Sequence, residues 1–560
     1  MGLARNVENS DLMIKDTIRT IGQVTEIVKE TWRSQGDHLL AKRVAQAMPK
    51  VGKRLRKKTT SSPARNYGHE DLIQAPWYMR FAGYFCHFML FAVGFFRESI
   101  WGHGPINSEL KICEKNRDGY SPMYIGFEGF YIRNVFRRLA HCFRTPIASA
   151  PGGEVDVLEH YSENAGWTFN INQNHMKTCI NFGSYNYLGY AQTSGPCTAA
   201  AIQSIQTSGL TSSSARQELG TLSYHRQLET TVSEFLGKED AITFGMGFAT
   251  NVLNIPRLMD KRTLVISDEK NHASLILGLR LSGATVRVFQ HNNPEHLERV
   301  LRKAMLHGQP RTRRPFKKVF IVVEGVYSME GTIVRLPEIM AIKKKYKAYL
   351  YLDEAHSVGA MGPNGRGVVD YYGLNPKDID IMMGTFTKSF GSAGGYIAGS
   401  KRLIDHLRAN SQANTYPTSM SAPVANQIIE AMKQIMDKDH GDGMERVRVL
   451  ARNSKYIRRR LKQLGLVVYG HDDSPVVPVM LFVTTKISYL LGEMKKKGIA
   501  LVGVGYPATK ISHERSRLCV SSSHSKEMLD YCVNAFDEIA DKMNIRYNRG
   551  AHLDMSEVQY

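Results

Sequence analysis

KVFIVVEG at 318–325, AYLYLDEA at 348–355 and IDIMMGTF at 379–386 set the fold class of this chain. Each is a continuous apolar run of strand length, with no alternation of apolar and polar positions. A strand that is apolar on both faces is buried on both, which points to a large, mostly parallel sheet covered by helices. LPEIMAIKKKYK (336–347), between two of these runs, has the spacing of such a helix. The α/β texture begins near residue 150. From about 425 to 545 helices and strands such as SPVVPVMLFV (474–483) continue with fewer Gly-rich turns, predicting a smaller C-terminal α/β domain.

Open α/β sheets bind ligands beyond the carboxyl ends of their strands, so the residues that follow each run are the site candidates. After AITF (241–244) comes GMGFATN, where Gly245 and Gly247 open a helix whose first N–H groups suit a phosphate. After AYLYL comes Asp353. A buried carboxylate there needs a cationic partner, such as a protonated ring nitrogen; a helix cap or a salt bridge is the plainer use. After IDIMM comes GTFTKSFG (384–391), with Lys388 among Thr385, Thr387 and Ser389. A desolvated lysine loses basicity and can form a Schiff base, although eight residues alone do not separate it from an exposed loop lysine. A phosphate cradle, an aspartate and a lysine, each ending a strand in that order, are together the equipment for pyridoxal 5′-phosphate. SDEKNHASL (267–275) puts His272 after a further strand, where an imidazole can stack on the ring.

Charge is a second signal, spread over the core and the chain outside it. Its 560 residues hold 73 Lys+Arg against 52 Asp+Glu, a net charge of +21, with 42% apolar content. That content excludes a mainly disordered chain, and the charge calls for an anionic partner: nucleic acid, a lipid surface or a phosphorylated ligand. No nucleic-acid motif occurs, and the Arg-rich TRRPFKK (312–318) reads equally well as a solvated face. The seven cysteines form no C-x-x-C pair and no metal spacing, so they read as reduced, with no metal site and no disulfide framework. Residues 1–76 are polar and basic, with seven basic and no acidic residues between Lys50 and Arg65. FAGYFCHFMLFAVGFF (81–96) follows, uncharged between Arg80 and Arg97 and flanked by Trp77, Tyr78 and Trp101. It predicts a membrane-associated or transmembrane helix over 77–101. Its sixteen residues fall short of the roughly 20 of a comfortable span, so a short span, a helix in the interface and a buried helix stay open. FEGFYIRNVFRRLAHCF (127–143) predicts an amphipathic helix packed on a partner or on the enzyme. The expected order is thus a basic segment (1–76), the apolar helix (77–101) and an amphipathic arm with the start of the enzyme (102–180). A large cofactor domain (181–424), a small domain (425–545) and a tail (546–560) complete it.

From about Asn181 to Ala540 the chain closely resembles the α-oxoamine synthases of pyridoxal-phosphate fold type I. The resemblance rests on NFGSYNYLGY (181–190), GTLSYHRQLE (220–229), NHASL (271–275), EGVYSMEG (324–331), DEAHSVGAMGPNGRGV (353–368) and GTFTKSFGSAGGY (384–396). Within that family TFTKSFG, PATKISHERSRLCVSSSHS (507–525) and the membrane-seeking arm resemble the catalytic subunits of serine palmitoyltransferase, though Lys510 and Ser525 depart from their late signature. The resemblance implies condensation of L-serine with a long-chain acyl-CoA, with loss of CO₂. It implies that Lys388 binds the cofactor, Asp353 holds the pyridine nitrogen protonated, His272 stacks on the ring and His356 meets its phenolic oxygen. Gly247, Phe248 and Thr387 would hold the phosphate, with Thr385 close to the ring and Thr418 reaching a neighbouring subunit's phosphate. Arg517 would grip the serine carboxylate, supported by Asn186. Implied partners are a homologous lysine-lacking subunit in a heterodimer, small membrane regulators and the endoplasmic reticulum membrane, with the catalytic domain facing the cytosol. Another α-oxoamine synthase, acting on glycine, is the alternative enzyme. A membrane-bound scaffold with a degenerate fold would need Lys388 or Asp353 to be missing.

Overall fold

The computed structural model describes residues 75–101 and 127–548, except 165, 167 and 507, together with 558 and 560; these all belong to the unit Glu70–Tyr560. The basic run 50–65 and Cys113 lie outside the described residues. Seven strands form the main sheet in the order β3-β9-β8-β7-β6-β4-β5. They are β3 (Asp240–Phe244), β4 (Thr263–Asp268), β5 (Thr285–Phe289), β6 (Lys318–Glu324), β7 (Tyr349–Asp353), β8 (Ile381–Thr385) and β9 (Gly395–Gly399). β5, β4, β6, β7 and β8 run parallel. Neighbouring side chains on these strands enter two separate apolar clusters. Ile321, Val323, Leu350, Leu352 and Met382 face one, while Phe320, Val322, Tyr351, Ile381 and Met383 face the other. Burial on both faces is what continuous apolar runs require, and truncating one such residue, Leu352→Ala, costs about 2–5 kcal/mol.

β9 departs from the parallel pattern. It pairs antiparallel with both β3 and β8, because only residues 386–394 separate it from β8. So short a connection makes a hairpin and not a crossover, and Lys388 rides on it.

Two smaller sheets complete the enzyme body. β1 (Glu154–Tyr161) and β2 (Asn170–Asn181) pair antiparallel, and β11 (Ile499–Ala500) adds to β2. The N-terminal core material is thereby stitched to a late part of the chain. β10 (Val476–Met480), β13 (Arg515–Cys519) and β12 (Val502–Val504) form the third sheet, with β13 in the middle.

Helix α1 covers Trp77–Trp101, and is long and apolar enough to cross a membrane by length and composition. Met79 packs with Ala75, Met480 and Phe482, Gly83 lies on Ser512, and Gly94 lies on Asn134. Trp77, Phe81, Phe85, Phe88 and Phe96 are exposed along the other side. The amphipathic segment forms α2 (Phe127–Tyr131), a π-helical turn (Ile132–Phe136) and α3 (Arg137–Phe143). It packs on α1 through Arg133–Glu98 (2.8 Å) and on the enzyme body through Tyr131, whose hydroxyl donates to the Tyr506 carbonyl (2.6 Å). The six described cysteines are free thiols.

Candidate active site

The parallel register places Glu324 beside Asp353 and Asp353 beside Met383, so the ends of β6, β7 and β8 form one shelf. Asp353 is buried there and its carboxylate is fixed on both oxygens. Oδ2 accepts from Asn251 Nδ2 (2.9 Å) and Oδ1 from the Ala355 N–H (2.9 Å). Asn251 stands on the helix Gly247–Leu258. It also donates to Ser274 Oγ (3.0 Å) and accepts from Tyr351 Oη (2.7 Å). Ser274 Oγ lies 2.8 Å from His272 Nδ1, which caps the helix Ala273–Ser282 by accepting from the Ser274 N–H (3.2 Å). An accepting Nδ1 leaves the neutral ring's proton on Nε2. Burial holds the His272 pKa below its ordinary value against the pull of Asp353, and Lys388 adds to the depression. The backbone N–H of His272 donates to Glu324 Oε1. The Glu324 carboxyl is driven well above the usual range by burial and then by Asp353.

Lys388 is half-buried, and burial brings its amine from 10.5 down to about 8 despite Asp353 and Glu324; Arg517 contributes to the lowering. The amine lies 5.4 Å from the centroid of the Tyr185 ring, and the Arg517 guanidinium lies 4.5 Å from the same ring. Arg517 is buried on β13 over the Tyr185 ring and beside Cys519, with Ser328 O at 3.5 Å and Met329 Sδ at 3.7 Å, while its Nε finds no hydrogen-bond partner among the described residues. Two positions earlier on the same strand, Arg515 has Glu330 at 3.7 Å and the Met329 carbonyl at 2.7 Å. One arginine of the pair is thus compensated by a carboxylate. The other keeps its charge available in a buried place, where a carboxylate binds it strongly.

The candidate anion cradle is the start of the helix Gly247–Leu258. Thr385 Oγ1 meets Thr387 Oγ1 (2.8 Å) and the Gly394 carbonyl (2.8 Å), and a Cβ on Gly247 would come 2.5 Å from that hydroxyl. A Cβ on Gly245 would meet nothing within 4 Å. Phe248 is exposed, edge-on to His272 at 6.0 Å.

The remaining candidates divide. His356 is buried, with Nδ1 2.8 Å from Tyr187 Oη and its ring 5.1 Å from Tyr185. Burial, with Lys388 and Arg517 nearby, holds it well below its ordinary pKa and therefore neutral. Asn186 donates to the Pro151 carbonyl (2.8 Å) and accepts from the Ala191 N–H (3.2 Å); no hydrogen bond joins its side chain to Arg517 among the described residues. Thr418 is exposed in an isolated bridge to Ala215. Tyr185, Glu324, Asn251 and Ser274 join these candidates; each sits inside a stretch read above, yet its own stretch does not single it out from its neighbours. Tyr185, pushed up to about 12 by burial, is brought by the fold against both Lys388 and Arg517.

The donor set fits pyridoxal phosphate. It offers a buried aspartate for the ring nitrogen, a lysine of lowered basicity for the aldehyde, and N–H and hydroxyl groups with open space at Gly245 for the phosphate. The family model for aminotransferase class I and II matches residues 177–536. Human serine palmitoyltransferase 3 is 46% identical over 483 residues, covering 86% of this chain and 87% of that protein. Serine palmitoyltransferase 2 of Caenorhabditis elegans is 48% identical over 471 residues, 84% of each chain. Among solved structures, a serine palmitoyltransferase variant from S. paucimobilis with bound PLP–myriocin superposes with a TM-score of 0.63 at 26% identity, over 71% of this chain and 93% of that one. With its lysine and aspartate at the ends of neighbouring parallel strands and these relatives matched over most of its length, the chain belongs to the class I and II aminotransferase family and, within it, to the serine palmitoyltransferases.

Proposed function

We propose that Lys388, Asp353, His272 and Arg517 carry out the reaction that this membership brings: condensation of L-serine with a long-chain acyl-CoA to 3-ketodihydrosphingosine, CO₂ and CoA, at the start of sphingolipid synthesis. When bound, pyridoxal phosphate supplies an electron sink next to the amino acid Cα. Asp353 is oriented by Asn251 and Ala355 to keep a ring nitrogen protonated. Lys388 holds the aldehyde and, with its basicity lowered by burial, is placed to take the Cα proton from serine. His272 presents its ring to the cofactor face, and neutral His356 offers a hydrogen bond to the phenolic oxygen. Gly247, Phe248 and Thr387 hold the phosphate, with Thr385 fixing Thr387 from behind. Arg517 receives the serine carboxylate as a bidentate fork, and losing that carboxylate as CO₂ makes the condensation irreversible. The observation that carries this reading is Arg517, a buried guanidinium with no carboxylate partner among the described residues, lying against the same Tyr185 ring as Lys388. Titrating the visible spectrum of the holoenzyme with L-serine and with glycine tests it. The reading expects saturable change with serine, whereas a response confined to glycine transfers the chain to another α-oxoamine synthase.

The assembly belongs to the same proposal. Thr418 reaches the phosphate of a neighbouring subunit, a homologous lysine-lacking chain, and small membrane subunits regulate the pair. The enzyme sits on the endoplasmic reticulum membrane with its catalytic body in the cytosol. Helix α1 lies in the interface plane: its 25 residues extend about 37 Å at 1.5 Å per residue, with one side on the enzyme body and the aromatic side outward.

A further inference from the structure

Arg517 rests on the Tyr185 ring and stands on β13, so the place of its guanidinium follows the backbone of that strand. That backbone arrives from the turn after β12, and the turn is packed beneath α1 and α2. Ser512, buried at φ +66, lies against Gly83 so closely that a Cβ on the glycine would come 2.7 Å from Ser512 Oγ; the next atom, the Phe482 carbonyl, would be 3.5 Å away. Ser512 Oγ in turn lies 3.5 Å from the Arg80 carbonyl. The buried His87 ring stands edge-on to Tyr506 at 6.2 Å, and Tyr131 holds Tyr506 from the other side, rings 5.2 Å apart. The carbonyl of Glu514 accepts from the N–H groups of Leu481 and Phe482 (3.0 and 2.9 Å), closing the turn onto the strand that α1 also touches.

We propose that α1 is a positioning element of the substrate site: through the Gly83–Ser512 contact it sets the height of the β12–β13 turn and hence where Arg517 meets the serine carboxylate. The proposal rests on the reading of Arg517 given above. Gly83 and Ser512 touch no substrate; they act through the arginine. The helix whose outer side is aromatic therefore shares its inner side with the amino-acid site, and serine affinity registers how that helix is seated.

The test is a cycle of variants of the full-length holoenzyme, read by serine titration of the cofactor spectrum and by the KM for acyl-CoA. Gly83→Ala drives a methyl into Ser512 and is expected to weaken serine binding on the order of tenfold, as displaced positioning groups do. Cofactor content and the acyl-CoA KM stay as in the wild type. Gly83→Ala with Ser512→Gly removes the clash at a residue already in the left-handed region, and restores serine affinity. Tyr131→Phe deletes one anchor of the turn without adding volume, and weakens serine binding in the same selective way should Gly83→Ala fail to fold. Arg517→Lys provides the reference loss. Unchanged serine affinity in Gly83→Ala and Tyr131→Phe beside a weakened Arg517→Lys overturns the proposal, as does a double variant no better than Gly83→Ala. An Arg517→Lys enzyme that binds serine normally overturns the reading beneath it instead.

Discussion

Gly247→Ala is the sharpest probe of the anion cradle. Alanine favours a helix over glycine by about 1 kcal/mol, so the change would stabilise an ordinary helix start. Here the new Cβ would sit 2.5 Å from Thr385 Oγ1, 3.2 Å from the Gly394 carbonyl and 3.3 Å from Thr385 Cβ. Thr385 is buried and cannot swing away without losing its bonds to Thr387 Oγ1 and the Gly394 carbonyl. Two neutral hydrogen bonds are worth about 1 kcal/mol each, and crowding a packed site adds a comparable strain, so the intact cradle becomes costlier by about 2–3 kcal/mol. Without cofactor the turn can relax; with cofactor it must form the cradle. The cost therefore falls on binding, a roughly 30- to 150-fold rise in the pyridoxal phosphate Kd. Absorbance titration of stripped enzyme measures that Kd directly, and thermal unfolding of the stripped protein reports the fold. Gly245→Ala, whose Cβ meets nothing, leaves the stripped protein's Tm unchanged. A Gly247→Ala enzyme that binds cofactor as tightly as the wild type would show that the phosphate does not rest there.

Further outcomes follow from the same geometry. Lys388→Ala should give no borohydride-stable cofactor adduct on the 384–391 peptide by mass spectrometry; an adduct retained there assigns the aldehyde to another group. Asp353→Asn keeps Asn251 and Ala355 as neighbours, so the variant should retain cofactor but lose most of the serine-dependent spectral change; an undiminished change removes Asp353 from its role. Burial raises the Glu354 carboxyl to about 7 from 4.5. Between those values the folded chain binds a proton that the unfolded chain has lost, so this group's contribution to stability falls as pH rises from 4.5 to 7. Glu354→Gln should flatten that part of the stability–pH profile, measured by denaturant titration, and an unaltered slope contradicts the assignment. For Lys388 the sign reverses. Lowered to about 8 from 10.5, its amine is already neutral in the fold while the unfolded chain stays protonated, so cofactor-free enzyme gains stability from pH 8 to 10.5, a gain that Lys388→Met abolishes.

Much of the fold was legible because burial on both faces leaves a compositional mark. KVFIVVE and YLYLD are strands over Lys318–Glu324 and Tyr349–Asp353, and the helix read at 336–347 spans Leu336–Tyr346. The strand-end rule then located Asp353, Lys388 and the Gly247 turn without a side-chain contact in view. What stayed hidden depends on distant pairings. GYIAG is too Gly-rich to read as a strand, and its antiparallel direction to β8 follows from the tight loop carrying Lys388. Tyr185 comes against both Lys388 and Arg517 only because segments more than 300 residues apart in the chain converge. Glu324 looked like the end of one strand; its pairing with Asp353 and its hold on the His272 backbone come from sheet register. Asn186 shows the opposite case: inside a recognisable motif, its amide is committed to the Pro151 and Ala191 backbone. Likewise the apolar run 81–96 did not reveal that Gly83 and Gly94 would face protein while the aromatic residues face outward.

The most direct measurement is the identity of the product. The full-length holoenzyme, alone and with the proposed partner subunit, is incubated with carboxyl-labelled L-serine and a series of acyl-CoA chain lengths, and the lipid and gas products are analysed by mass spectrometry. The account predicts a 3-keto long-chain base that retains the serine hydroxymethyl carbon, with the carboxyl label released as CO₂, and no product from the Lys388→Ala enzyme. Turnover of glycine with no serine-derived lipid, or a lipid that keeps the carboxyl label, would contradict it.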